Sequence, residues 1–332
     1  MTLEEFLQEW RDGSPTLLVH TSGSTGSPKP LRVEKQRMLN SARITCDFLG
    51  LKPGQSALLC MPLDYIAGKM MVVRSLERQL RLISVAPTGH PLAELPENCT
   101  IDFAAMVPLQ VYNSLQVTRE RERLQAIGHL IIGGGAIDEE LRAALASFPN
   151  AVWSSYGMTE TLSHIALRRL SGPGASSWYR PFPSVKLGLD ANGCLVIQAP
   201  LVSPSTLVTH DRAELTEDDC GCCFRILGRL DNVICSGGIK LQIEEVEALL
   251  RPVLHTPFLL TKRPDRKFGE AAVLLTEAAD VAAVARTCSE VLPRFWRPRE
   301  VLHVESIPLT ATGKPARAEA EKLAARLAAA EG

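Results

Sequence analysis

The chain has 332 residues, of which 45% are hydrophobic and 22% charged, with a formal net charge of −1. That length makes one large or two medium soluble domains, and near-neutral charge with 5% aromatic residues excludes a global field for nucleic acid or anionic lipid and a base-stacking platform. No run approaches the ~20 apolar residues of a membrane span. The opening Met1-Thr-Leu-Glu-Glu-Phe lacks a signal-peptide pattern, and nine scattered cysteines fit free thiols in a reducing cytoplasm.

Leu3, Phe6, Leu7 and Trp10 share one face of a helix over 3–10, stopped by Asp12-Gly13. Leu17-Leu18-Val19 reads as a buried strand. Val33, Met38, Ile44 and Phe48 give helical spacing over 33–49, ended by Gly50. A strand over 57–63, a helix over 66–79 and a strand over 80–86 follow, then apolar runs at 101–107 and 129–132 with helical stretches between. Strands alternating with helices predict parallel βαβ units in a doubly wound sheet. After about residue 170 the pattern turns to short strands at 185–189, 194–198, 206–209 and 224–227, a small β-rich subdomain. A separate α+β unit is expected next: helix 242–250, strands near 257–262 and 271–276, helix 281–292, strand 301–305 and a basic, alanine-rich terminal helix. The expected division is 1–229, comprising an α/β body over 1–170 and the β-rich subdomain over 171–229, and then 230–332.

Residues suited to chemistry gather at the strand ends. Thr21-Ser-Gly-Ser-Thr-Gly-Ser-Pro-Lys29 carries two glycines, five hydroxyl side chains and a lysine. Tight glycine turns expose backbone N–H groups, hydroxyls add donors and the ammonium adds charge, a set suited to the phosphates of a nucleotide. The spacing is not that of a P-loop. A flexible linker, the bland alternative, does not explain the strand before it. Ile131–Ile137 ends a strand with Gly133, Gly134 and Gly135, which permit close approach by a flat ligand, and Asp138 can cap the next helix. Tyr156-Gly-Met-Thr-Glu160 sets a hydroxyl beside a carboxylate; the residues alone leave open a Mg2+ ligand and a capped turn with an exposed glutamate.

Asp211, in His210-Asp-Arg212, suits the two hydroxyls of a ribose. Arg229 and Asp231 fall at the compositional boundary, where a hinge belongs, and Ser236-Gly-Gly238 follows. Pro308–Lys314 is a polar loop whose lysine, on spacing alone, reads as the start of a solvated helix. Cys220-Gly-Cys-Cys223 has no second ligand pair at suitable spacing and reads as turn and strand.

These motifs, in this order from Thr21 to Lys314, resemble the adenylate-forming superfamily of acyl-CoA synthetases, peptide-synthetase adenylation domains and luciferases. The resemblance implies an α/β adenylate-forming fold with a small β-subdomain and a mobile α+β C-terminal domain. It also implies a shortened N-terminus, because the family's glycine loop lies well inside a longer region. Two steps are implied: a carboxylate displaces pyrophosphate from ATP to give an acyl-adenylate, and a thiol, usually of CoA, displaces AMP. By motif, Thr21, Ser22, Gly23, Ser24, Thr25, Gly26 and Lys29 would hold the β- and γ-phosphates. Gly133, Gly134, Gly135 and Tyr156 would surround the adenine, Gly157 would belong to the same nucleotide site, Thr159 would touch the α-phosphate, and Glu160 would bind Mg2+. Asp211 would hold the ribose with Arg229 assisting, Asp231 would be the hinge, and Ser236, Gly237 and Gly238 would flank the thiol's tunnel. Lys314 would bridge carboxylate and phosphate, which replaces the solvated-helix reading of that residue.

Within that superfamily, Pro62–Arg74, Thr161–Leu167 and the shortened N-terminus resemble bacterial o-succinylbenzoate–CoA ligases of menaquinone biosynthesis. An acid with a second carboxylate needs a cation in its pocket, because a buried unpaired charge is costly. Lys69 or Arg74 would supply it, with Tyr65, Ser163 or His164 orienting the acid; the other reading of the two cations is a solvated helix face. A CoA ligase for another aryl or short-chain acid and a degenerate adenylate-binding scaffold stand as alternatives, and the presence of both Glu160 and Lys314 argues against the scaffold. The expected partners are ATP, Mg2+, CoA and a carboxylic acid, with a homo-oligomer left open.

Overall fold

The computed structural model describes residues 1–20, 30–135, 137–219, 221–310 and 315–330. Thr2 Oγ1 accepts from the Glu5 N–H and the Glu5 carboxylate accepts from the Thr2 N–H, a capping box that starts α1 (Leu3–Arg11) and buries Phe6. Strands β1 (Thr16–His20) and β2 (Pro30–Glu34) pair antiparallel, with Leu17 opposite Val33. Helix α2 (Lys35–Leu49) begins at the next residue. Val33, expected on the helix, is therefore a strand residue. The buried stripe of α2 runs through Met38, Ala42, Cys46 and Leu49 rather than Ile44 and Phe48, at the three- and four-residue spacing of one helical face. Gly50, in the left-handed conformation, ends it.

The expected βαβ units follow: β3 (Ser56–Leu59), α3 (Ile66–Arg78), β4 (Arg81–Ser84), β5 (Phe103–Met106), α4 (Pro108–Gln116), α5 (Thr118–Ala126), β6 (His129–Ile132), α6 (Glu139–Ala146) and β7 (Ala151–Gly157). The strands run parallel in the order β4-β3-β5-β6-β7. Alternate residues serve two cores. Ala57, Leu59 and Phe103 join α2 and α3 on one face; Leu58, Ala104 and Leu130 join α4, α5 and α6 on the other.

The sheet is not wholly parallel. Strands β8 (His164–Arg169) and β9 (Arg180–Pro181) extend it antiparallel beyond β7. Residues 158–163 join β7 to β8, fewer than the roughly dozen residues a parallel crossover needs. Strands β10 (Lys186–Leu189), β11 (Cys194–Gln198), β12 (Leu207–Asp218) and β13 (Gly221–Arg229) then form an antiparallel sheet in chain order. The segments expected at 206–209 and 224–227 are parts of two long strands whose shared hairpin carries Glu214, Glu217, Asp218 and Arg225. Charged residues on an exposed hairpin mask the strand pattern. Leu195, Ile197 and Phe224 pack into the same core as α2 and α3.

The remaining elements are β14 (Val233–Ser236), β15 (Ile239–Gln242), α7 (Ile243–Leu250), β16 (Phe258–Asp265), β17 (Gly269–Thr276), α8 (Val281–Val291), β18 (Glu300–His303) and α9 (Arg317–Ala330). Their sheet runs β15-β14-β17-β16, with β18 parallel to β17. Leu260 and Leu274 pack with α7 and α8, while Leu259, Val273 and Leu275 pack with α9. Among the described residues, no helix is long and apolar enough to cross a membrane.

Candidate active site

The loop that leaves β6 packs against the end of β7 and against the segment that leaves β5, at the strand ends where open α/β sheets bind ligands. A Cβ on Gly133 would lie 2.4 Å from Ser155 Oγ, and one on Gly135 would lie 3.3 Å from Pro108 Cγ. Gly134 has φ +80°. Close approach and left-handed backbone thus account for this glycine run.

Tyr156, near the end of β7, donates its hydroxyl to Asp211 Oδ2 at 2.7 Å. Arg229 Nη1 donates to Asp211 Oδ1 at 3.1 Å, and Nη2 donates to Asp231 Oδ2 at 3.1 Å. The structure therefore joins Tyr156, Asp211, Arg229 and Asp231 in one network, because β12 and β13 pair Asp211 directly with Arg229. Burial, reinforced by the Asp211 carboxylate, pushes the Tyr156 phenol far above its ordinary range, so it remains a donor. His210, unassigned from the sequence, holds Asp231 Oδ1 through Nδ1 at 2.8 Å. Burial raises the Asp231 carboxyl, but the hydrogen bonds from His210 and Arg229 outweigh it and hold the group below its usual value.

Thr159–Thr161 make a single 3-10 turn that leaves Glu160 exposed. An exposed carboxylate offers the oxygen donors a hard cation such as Mg2+ requires. Leu162 follows with φ +66° while buried, a strained conformation for a bulky residue, of the kind that surrounding contacts must impose. Thr161 Oγ1 supplies such contacts: it accepts from the Met158 N–H and donates to Ser163 O at 2.7 Å. Gly157 presses on the same turn, since a Cβ there would lie 2.3 Å from Ser163 O.

Lys69 and Arg74 are 3% and 2% exposed, which overturns the solvated-face reading for both. Lys69 Nζ donates to Leu18 O at 3.2 Å and lies over the Phe6 ring; burial lowers its pKa. Arg74 donates Nη2 to Ser163 Oγ at 2.5 Å, Nη1 reaches Met71 Sδ at 3.7 Å, and Nε is buried without a partner. No carboxylate among the described residues pairs with it, and burial lowers its pKa to about 10. His164, packed behind Ser163, has Nδ1 3.3 Å from Ser163 Oγ and Nε2 3.0 Å from Thr45 Oγ1. Burial first, and the Arg74 charge second, hold its pKa well below the ordinary value. Tyr65 is half-buried just before α3, its backbone bridged to His20.

Ser236 and Ile239 pair across a two-residue hairpin turn in which Gly237 and Gly238 both have positive φ, the conformation such turns demand. Cys222 and Cys223 lie on β13. Thr21, Ser22, Gly23, Ser24, Thr25, Gly26, Lys29, Cys220 and Lys314 lie outside the described residues.

Residues 5–196, more than half of the chain, match the family described as AMP-binding enzyme. The chain belongs to the AMP-binding enzyme family. Over 310 residues it is 29% identical to the 2-succinylbenzoate–CoA ligase of Salmonella typhimurium, covering 87% of this chain and 64% of that protein. The chain therefore spans less than two thirds of that relative's length. An acyl-CoA synthetase (AMP-forming)/AMP-acid ligase II-like protein from Dyadobacter fermentans is 34% identical, with a TM-score of 0.64 over 94% of this chain and 90% of that one. The o-succinylbenzoate CoA synthetase of Bacillus subtilis, solved with the acyl-adenylate intermediate OSB-AMP, shares the fold at a TM-score of 0.73 and 20% identity, over 91% of this chain and 68% of that one. The α/β adenylate-forming fold expected from the motifs is the fold observed.

Proposed function

We propose that this chain is an AMP-forming acid–CoA ligase whose acid is o-succinylbenzoate, acting in menaquinone biosynthesis in the cytoplasm. The observation that supports this acid is Arg74: a buried guanidinium with an unpartnered Nε and no described counter-charge. It sits on Ser163, whose carbonyl packs against Gly157 of the nucleotide motif. A cation buried beside that motif calls for an anionic ligand. A dicarboxylic acid keeps one free carboxylate after the other is activated. Lys69 is the weaker candidate, because its ammonium already has the Leu18 carbonyl.

In this reading the activated carboxylate oxygen attacks the α-phosphorus of ATP and pyrophosphate leaves with the bonding pair. The CoA thiolate then attacks the acyl carbon and AMP leaves. Thr21–Lys29 hold the β- and γ-phosphates, Gly133–Gly135 and Tyr156 flank the adenine, and Asp211 with Arg229 takes the ribose hydroxyls. Thr159 contacts the α-phosphate and Lys314 bridges it to the acid. Glu160 would hold Mg2+, which when bound neutralises phosphate charge. Asp231 is the hinge between units at 1–229 and 230–332, and Ser236–Gly238 line the thiol's approach. The partners are ATP, CoA and the acid, and a homo-oligomer is compatible with this scheme.

The test is pyrophosphate release from ATP and Mg2+ with o-succinylbenzoate, benzoate or a fatty acid, with and without CoA. Turnover with o-succinylbenzoate, coupled to thioester formation, is the expected result. Turnover only with another acid keeps the mechanism and discards the Arg74 assignment. ATP binding without turnover for any acid leaves an adenylate-binding scaffold.

A further inference from the structure

A partly buried hydrogen-bond chain runs from α2 to Arg74. Thr45, fully buried, has its hydroxyl 3.0 Å from Ser41 O and 3.0 Å from His164 Nε2. Ser163 Oγ lies 3.3 Å from His164 Nδ1 and 2.5 Å from Arg74 Nη2. Donor counting sets the direction. A guanidinium can only donate, so Ser163 Oγ accepts from Arg74 and has His164 Nδ1 as the acceptor for its single proton. Nδ1 is then the bare nitrogen, and the ring proton sits on Nε2. Thr45 Oγ1 accepts that proton and gives its own to Ser41 O. In the reverse order the Ser163 proton has no acceptor among the described residues, and the chain loses one hydrogen bond. An imidazolium would face the Arg74 charge in a buried site, which disfavours it.

We infer that Thr45 is a positioning residue for acid recognition: it fixes the His164 tautomer and, through Ser163, aims the unpartnered Nε edge of Arg74 at the free carboxylate of the acid. The inference rests on the Arg74 reading above. Thr45 itself is on α2 and reaches the guanidinium only through two other side chains. The one other described hydrogen bond of the guanidinium is to the Met71 thioether at 3.7 Å, a weak acceptor that does little to fix its direction.

The test compares Thr45→Val, which keeps the shape and loses the hydroxyl, with Thr45→Ser, which keeps the hydroxyl, in the full chain. Thr45→Val is expected to raise KM for o-succinylbenzoate about tenfold, the effect of weakening one hydrogen bond to a charged group. KM for ATP stays unchanged and Thr45→Ser restores the acid KM. Ring-nitrogen NMR of His164 should show Nε2–H in the wild type and a tautomer mixture in Thr45→Val. An unchanged acid KM, equal rises in both KM values, or a wild-type ring protonated at Nδ1 overturns the inference. Should Thr45→Val fail to fold, Ser163→Ala cuts the chain one link later and must give the same split. The NMR arm needs no turnover, so failure of the ligase reading appears separately, as a wild type that releases no pyrophosphate with any acid.

Discussion

Lys69 Nζ already has the Leu18 carbonyl and the Phe6 ring, whereas Arg74 keeps a buried Nε without a partner. Arg74→Ala should therefore raise the acid KM by about 100-fold, the order expected when a buried charge loses its partner, and leave the ATP KM unchanged. Lys69→Ala should lower the melting temperature and leave the acid KM unchanged; a raised acid KM would return the pairing to Lys69. His164 gives a second prediction. Its folded pKa lies well below the ordinary 6.5, so between those values the unfolded chain binds more protons than the folded one. Stability then rises with pH in that window; it is full above about 6.5 and falls as pH drops towards the folded value. Melting temperatures taken downward from pH ~7.5 to ~5.5 should decline, and His164→Gln should flatten that slope.

Gly157 ends β7 where the chain turns back into β8, and the turn is closed by backbone rather than by a movable side chain. A Cβ there meets Ser163 O at 2.3 Å and His164 Cα at 2.5 Å. Gly157→Ala should cost about 2 kcal/mol or more by overpacking, read as a lower urea midpoint, and should raise both the acid and ATP KM values because the turn carries Thr159 and Glu160 as well as Ser163. An unaltered midpoint would mean that the turn relaxes freely. At this scale the sequence was legible where a hydrophobic run was long or strictly periodic, as in α1, α3, β6 and α7. It was not legible for β8, whose apolar Ile165-Ala-Leu167 is too short to announce a strand by its period. The β14–β15 hairpin escaped because Ser236-Gly-Gly238 is short, and only the positive φ of Gly237 and Gly238 marks it as a two-residue hairpin turn.

The C-terminal elements are joined by one buried ion pair. Glu247 of α7 accepts from both terminal nitrogens of Arg317 at 2.7 and 2.8 Å and from the Leu260 N–H at 2.9 Å. It thereby ties α7, β16 and α9 together. Arg317→Met leaves the carboxylate buried without its partner and should destabilise the protein by about 3 kcal/mol, measured by urea unfolding. Pairing it with Glu247→Leu should recover much of that loss; equal losses in the single and double variants would show that packing, not the charge, is at stake.

The order of glycine loop, Tyr156–Glu160, Asp211, Arg229 and Lys314 determined the family and the fold class, because those motifs are local and the alternation of strand and helix periods is written in neighbouring residues. Burial and partnership are long-range properties, and only the tertiary structure decided them. Lys69 donates to a carbonyl 51 residues away, and Arg74 rests on a serine 89 residues away. Nothing within Pro62–Arg74 distinguishes those two cations. The distinction arises when β1 brings a carbonyl to Lys69 and the β7–β8 turn brings only a hydroxyl to Arg74, whose Nε stays without a partner.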